Sequence, residues 1–338
     1  MNKFFFEKYF LFIFGILLVF QGYSQQDAQF SQYMFLNPYI NPGSAGIDNN
    51  TNATLVYRNQ WTGMSASNSS DNSFVAPQST VLTLSTKIRQ INSGIGLFVL
   101  NDQLGPLSTQ NFKLSYSYHI NLTEKLKLGI GVKIGAIRQY IDTDKWRTTD
   151  PIDNDQRLIY VRNNQSFANT IMFDFGSGLW LQHANYYFGL SFAHINNPVY
   201  MVQDNYKQSK IYLHYYLTGG YNFRLNENFV LTPSFIVKDI IYTGVFKPGY
   251  QFDISSLINY QNNRFWGGLS YRHLDALVAL VGVGLLKDHS LRLGYAFDLT
   301  ILGNSSKAFT SHEIMLSYIK PVAELLPRPI IRTPRFRY

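Results

Sequence analysis

Five aspartates, Asp142, Asp144, Asp150, Asp153 and Asp155, fall within residues 140–166, and carboxylates at that density could chelate a hard cation such as calcium. The spacing fits no EF-hand loop, which needs oxygen donors at fixed alternate positions, and Lys145, Arg147 and Arg157 share the run. A calcium site at Asp142, Asp144, Asp153 and Asp155 is therefore the lesser of two readings, the other being a solvated recognition loop. The seven histidines are scattered, with no HxxxH or HExxH spacing to aim two imidazoles at one metal. His119 and His214 fall on the polar faces of strand-like runs and read as hydrogen-bonding groups, not ligands. Cysteine is absent, which removes thiolate metal sites, thiol nucleophiles and disulfides together. No GxSxG, P-loop or dinucleotide fingerprint occurs, and nothing suggests a Ser–His–acid set. The expectation is a protein that is not an enzyme and holds no cofactor.

Two other groups have the chemistry of contact. Tyr57, Arg58, Asn59, Gln60 and Trp61 close a predicted strand at its outer end with aromatic, guanidinium and amide groups. Arg58 serves either as an interior charge paired within the protein or as a contact for a partner. Interior pairing is favoured, because an ionised group taken out of water needs a counter-charge. The C-terminal stretch 321–338 carries three prolines after Pro321 and four arginines, and includes Arg332, Thr333, Pro334, Arg335, Phe336 and Arg337. Its prolines bar another sheet strand. Ile330, Ile331 and Phe336 favour docking on a periplasmic partner over a free tail.

The elements that must position these groups are strands. In residues 111–122, Phe112, Leu114, Tyr116, Tyr118, Ile120 and Leu122 alternate with Asn111, Lys113, Ser115, Ser117, His119 and Asn121, a period of two. After a turn the alternation restarts, with Leu126, Leu128, Ile130, Val132, Ile134 and Ala136 on one face. The same pattern predicts about fourteen strands. They fall near 52–61, 77–88, 93–101, 109–121, 125–139, 167–181, 186–194, 211–224, 229–239, 248–260, 264–273, 276–287, 290–300 and 309–320. Most are long enough to cross a hydrocarbon layer at a tilt, which takes about nine to eleven residues. Connections after even-numbered strands are tight and polar, and those after odd-numbered strands are mostly long, with 274–275 the short exception. An outer-membrane barrel sorts its loops this way, whereas a soluble sandwich has no reason to. Only 15% of residues are charged and 16% are aromatic, with tyrosines gathered near predicted strand ends as at a membrane interface. Glycines recur on the polar faces, at Gly94, Gly129, Gly131 and Gly178 among others, where they mark bends or room for an inserted segment. The fold class expected is an all-β transmembrane antiparallel β-barrel of the outer-membrane type, and the alternative is a soluble all-β secreted protein.

Residues 1–24 have the layout of a secretory signal peptide, with Lys3 and Lys8 ahead of an apolar run of about twelve residues, short for a membrane span of about twenty. Residues 25–50 follow, rich in apolar and aromatic side chains but broken by Asn37-Pro38 and Asn41-Pro42-Gly43 turn signals. This segment is expected either to fold into the lumen or against the periplasmic rim, or to lead disordered into the barrel, 51–320. Both mature termini are expected in the periplasm. The net charge of +8 permits an anionic partner, yet Lys and Arg alternate along strands or sit in the tail, which argues against nucleic acid.

The words QQDAQFSQYMFLNPYINPGSAG at 25–46, YRNQWTGM at 57–64, GIGLFVLNDQLGPLS at 94–108, SHEIMLSY at 311–318 and RTPRFR at 332–337 resemble the PorP/SprF family of type IX secretion system membrane proteins of the Bacteroidetes. The likeness covers nearly the whole mature chain. One departure is Ala28, where many members carry proline. The resemblance implies a barrel in the outer membrane, surrounded by its lipid and working with the type IX secretion and gliding machinery. It further implies a large secreted cargo, such as an adhesin, exported or retained through its C-terminal domain. The other role open to such a barrel is a diffusion channel or transporter for small solutes.

Overall fold

A computed structural model describes residues 27–62, 76–142, 169–200, 209–241, 251–301 and 309–323. Its fourteen long strands are β1 (Asn50–Thr62), β2 (Gln78–Ile88), β3 (Ser93–Leu104), β4 (Leu107–Asn121), β5 (Leu126–Ile141), β6 (Asn169–His183) and β7 (Tyr186–Ala193), then β8 (Leu213–Tyr221), β9 (Phe229–Ile241), β10 (Gln251–Tyr260), β11 (Phe265–Arg272), β12 (Ala276–Leu285), β13 (Leu291–Thr300) and β14 (Thr310–Pro321). Each pairs antiparallel with its neighbours in sequence, and β1 pairs with β14 from Asn50↔Pro321 to Thr62↔Thr310, which closes the sheet. Closure leaves no backbone edge, the condition for strands in hydrocarbon, where an unpaired N–H or C=O finds no water.

The alternation read from the sequence sorts side chains between two media. Phe112, Leu114, Ile130, Val132 and Ile134 point outward, as do Phe173 and Leu269, which are 72% and 70% exposed. Asn111, Lys113, Ser115, Ser117 and His119, from the same strand as Phe112, are buried facing inward. An apolar outer wall around a polar inner one is the order that lipid imposes and the reverse of a water-soluble core.

Loop lengths follow the expected parity, with one further exception. Gly105 and Pro106 alone join β3 to β4, and Leu104 pairs directly with Leu107. The sequence reading ends the third strand at 101 and starts the fourth at 109, leaving 102–108, with polar Asp102 and Gln103, as a connection. Backbone pairing carries the ladder across them, and Gly105 makes the turn with φ +59°. Of the connections after odd-numbered strands, those after β1, β5, β9 and β13 contain residues outside the described set. After β7, Val199–Tyr200 and Ser209–Lys210 form a small ribbon.

Residues 27–49 run through the lumen. The expectation that both mature ends lie on one side rests on the barrel strands alone, and Asn50 and Pro321 do pair at the short-turn end. The preceding segment begins at the other end, where Asp27 contacts His194 just beyond β7, and descends to Asn49, which accepts from Lys87 on β2. The described chain therefore starts and finishes at opposite rims.

Candidate functional site

The lumen is shaped by what the N-terminal segment needs. Pro38 sits in the first turn of the short helix α1 (Asn37–Ile40), where its missing N–H costs nothing. Asn41 then ends the helix and caps the next turn: its Oδ1 accepts from Gly43 N at 2.9 Å while its Nδ2 donates to the carbonyls of Leu179 and Leu190 at 2.9 and 3.1 Å. One amide thus fixes the local turn and ties it to β6 and β7.

A backbone inside a barrel must find partners, and the inner wall supplies them. Lys133 donates to Tyr39 O at 3.0 Å, Ser191 to Ile40 O at 2.8 Å and Ser117 to Gly43 O at 2.9 Å. His119 Nε2 bonds Ala45 O at 3.0 Å, so this histidine is the luminal hydrogen-bonder that its strand face suggests. The glycines of the polar faces lie under the same stretch: a Cβ on Gly94, Gly129, Gly131 or Gly178 would run into Ala45, Gly43, Pro42 or Asn41. Apolar side chains finish the contact, Phe30 and Leu36 packing with Val56, Val81, Phe98, Leu280 and Met315. A cavity of about 260 Å³ remains between the segment and the wall, bordered by Phe35, Pro38, Trp180 and Arg292.

Nearer the long-loop end, a buried charge network grips Ser31. Its hydroxyl donates to Asp298 at 2.7–2.8 Å and accepts from Arg58 at 2.7 Å and Arg272 at 3.0 Å. Its backbone N–H and that of Gln32 each reach Glu313 at 2.8 Å. Arg58 pairs with Asp298 at 2.7 Å and Glu313 at 3.2 Å, and Arg272 pairs with Asp253 at 3.0 Å and Asp298 at 3.2 Å. All five ionisable residues are at most 2% exposed. Charges so deep are tolerable only when each has several partners, and Ser31 and Gln32 supply part of that set.

A third group stands at the same end. His194 lies between Asp174, 2.9 Å from Nδ1, and Asp27, 3.1 Å from Nε2. Tyr216 hydroxyl bonds the same Asp27 carboxylate, and Lys113 pairs with Asp174. His214 packs edge-on against His194, with ring centroids 5.2 Å apart.

The contact residues expected from sequence do not form one surface. Tyr57 points outward, 39% exposed, while Arg58 points inward into the network. Asn59 and Gln60 continue β1, with Gln60 N donating to Pro77 O at 2.8 Å. Trp61 turns at a bulge, where its N–H bonds Ser311 Oγ at 3.0 Å. Asp142 directly follows β5, its N–H donating to Pro106 O at 2.8 Å. Asp144, Asp153 and Asp155 of the calcium reading, and Arg332, Thr333, Pro334, Arg335, Phe336 and Arg337 of the tail, lie outside the described residues. Sequence reasoning missed the network around Ser31 and the cluster around His194, whose members meet only across sequence separations such as 282 and 167 residues.

Among solved structures, the toluene transporter TbuX of Ralstonia pickettii aligns with a TM-score of 0.48 and 11% identity, over 85% of this chain and 93% of that one. The toluene transporter TodX of P. putida aligns with a TM-score of 0.48 and 11% identity, over 85% and 94%. A FadL homologue of Pseudomonas aeruginosa gives 0.46 and 10%, over 80% and 90%. At that distance the likeness bears on neither substrate nor role. No curated protein sequence matches the chain. The family model described as type IX secretion system membrane protein PorP/SprF matches residues 22–318, which is most of the chain and spans both the luminal segment and the barrel. The chain belongs to the PorP/SprF family of type IX secretion system membrane proteins.

Proposed function

We propose that this protein is an outer-membrane base of the type IX secretion machinery, a closed barrel that supports export or surface retention of a large cargo protein, such as a gliding adhesin, through the cargo's C-terminal domain. One observation carries the reading: the protein's own residues 27–49 occupy the lumen, with the carbonyls of Tyr39, Ile40, Gly43 and Ala45 held by the wall side chains of Lys133, Ser191, Ser117 and His119. A lumen spent on its own chain suits a rigid base better than a conduit. The short-turn end faces the periplasm in this reading, as in other outer-membrane barrels, and the long connections face outward. Cargo then meets the outer end, the end of β1 at which Trp61 lies, and the tail 332–337 docks a periplasmic component of the machinery.

The second reading, a channel for small solutes, draws on the cavity of about 260 Å³ beside Phe35 and Pro38. It would require residues 27–49 to leave. The test is purification of the tagged chain from outer membranes of the native host, with identification of what accompanies it, paired with deletion of its gene. A very large protein with a type IX C-terminal domain should co-purify and disappear from the cell surface on deletion. Normal display of all such proteins in the deletion strain would refute the proposal.

A further inference from the structure

Asp27, His194 and His214 reach one point from three elements: Asp27 at the start of the luminal segment, His194 just after β7 and His214 at the start of β8. A carboxylate oxygen and one ring nitrogen from each histidine all lie within 4.8 Å of one another. We propose that these three side chains bind a zinc-type divalent cation, which fastens the beginning of the luminal segment to the barrel wall.

His214 makes the strongest case. Its Nδ1 is 2.8 Å from the carbonyl oxygen of Tyr212, which only accepts, so Nδ1 carries the proton and Nε2 of the neutral ring presents a bare lone pair. That nitrogen is buried, has no hydrogen-bond partner, and belongs to a side chain only 3% exposed. A buried acceptor without a donor is costly, and a cation at this point satisfies it. His194 is prepared in the same way. Asp174 takes its Nδ1 at 2.9 Å, leaving Nε2 directed at Asp27 Oδ1 and Oδ2 at 3.1 and 3.3 Å. The other Asp174 oxygen is held by Lys113, so Asp174 orients the imidazole and is not itself a ligand. A carbonyl or carboxylate on the remote nitrogen of each imidazole is the usual support for metal-binding histidine. His194 also adopts φ +58°, a left-handed conformation uncommon outside glycine, at the point where its ring turns into the cluster.

The dimensions agree with a small cation. Donors at about 2.0–2.1 Å from a tetrahedral zinc stand about 3.3 Å from one another. The Asp27–His194 spacings of 3.1 and 3.3 Å already match, and the His214 nitrogen lies within 4.8 Å of the other two donors. Two imidazoles and one carboxylate favour zinc and its transition-metal neighbours over calcium or magnesium, and three protein ligands leave a fourth position for water. The competing account is a protonated His194 bridging Asp27 and Asp174. It explains that bridge, but it leaves His214 Nε2 unsatisfied.

The inference stands apart from the cargo proposal. The full chain, purified in detergent and stripped with chelator, is titrated with cobalt(II) chloride, whose visible absorption reports tetrahedral nitrogen and oxygen ligation, and then with zinc chloride. One cobalt per barrel is expected, displaced by zinc. Asp27→Asn and His214→Gln are each expected to weaken binding by about tenfold or more, the scale at which even supporting groups of such sites act. His289→Gln, in the β12–β13 turn, should bind as the unaltered protein does. Zinc should also slow chymotryptic cleavage of residues 27–49 in the unaltered protein and not in His214→Gln. If His214→Gln fails to fold, Asp27→Asn carries the test, since residue 27 precedes every barrel strand. Absence of saturable cobalt binding by the folded barrel, or binding by both ligand variants as tight as that of the unaltered protein, overturns the proposal.

Discussion

Replacing Gly43 with alanine would place a Cβ 2.7 Å from Gly129 O and 3.1 Å from both Gly178 O and Trp180 N. A relaxed contact at carbon needs about 3.5 Å, so the closest approach falls short by about 0.8 Å. All three obstacles are backbone atoms of β5 and β6, fixed in their ladders, so the luminal segment must give way and the wall holds. Overpacking of this kind costs about 1–3 kcal/mol. At about 1.4 kcal/mol per tenfold, the released form of the segment becomes about 5- to 150-fold more populated, and Gly43→Val should exceed this. Chymotrypsin cleavage at Phe30, Tyr33, Phe35 and Tyr39 in detergent reads that population directly, provided reclosing outpaces cleavage. The barrel itself should keep its compact, heat-modifiable mobility on gels. Gly267→Ala, whose Cβ meets nothing nearer than 3.5 Å, is the matched control and should be cleaved as slowly as the unaltered protein. Equal cleavage rates for Gly43→Val and the unaltered chain would refute the idea that residues 41–46 are seated on the wall.

Arg58→Met strips Asp298 and Glu313 of a shared counter-charge and should cost about 3–5 kcal/mol, seen as a lower temperature for loss of the folded band on a heated gel. An unshifted transition would contradict the network as drawn. Val132→Arg, on the outer wall of β5, should cost about 2–4 kcal/mol and lower insertion into lipid vesicles. Full insertion would mean that this face does not meet acyl chains. Deletion of residues 332–338 should leave the barrel folded and reduce cargo export, read as surface display. Undiminished display would make the tail dispensable.

The barrel was legible because lipid enforces a period of two that no turn interrupts. Phe112 to Leu122 show it without error, and the predicted fourth strand, 109–121, differs from β4 only at its first residues. The sequence leaves 102–108 as a connection where the ladder runs on to Leu104↔Leu107, because pairing, not side-chain polarity, decides where a ladder ends. The inward glycines gave a readable trace of the luminal segment: Gly129, Gly131 and Gly178 lie where a Cβ would strike residues 41–43. What could not be read was convergence. Ser31, Arg58, Arg272, Asp298 and Glu313 meet at the long-loop end because closure of the sheet brings β1 beside β14 and the segment across to all of them. No local spacing encodes that. From sequence His214 reads as a luminal hydrogen-bonding group and not a ligand; its Nδ1 does bond Tyr212 O, and its second nitrogen gains significance only beside Asp27 and His194.

The central claim is that this barrel is shut by its own N-terminal segment and acts as a base for other proteins. Planar-bilayer recording of the purified chain tests it most directly. The account predicts a silent bilayer with the unaltered protein and steady openings once residues 27–49 are deleted. Large, stable conductance from the unaltered protein, unchanged by that deletion, would contradict it.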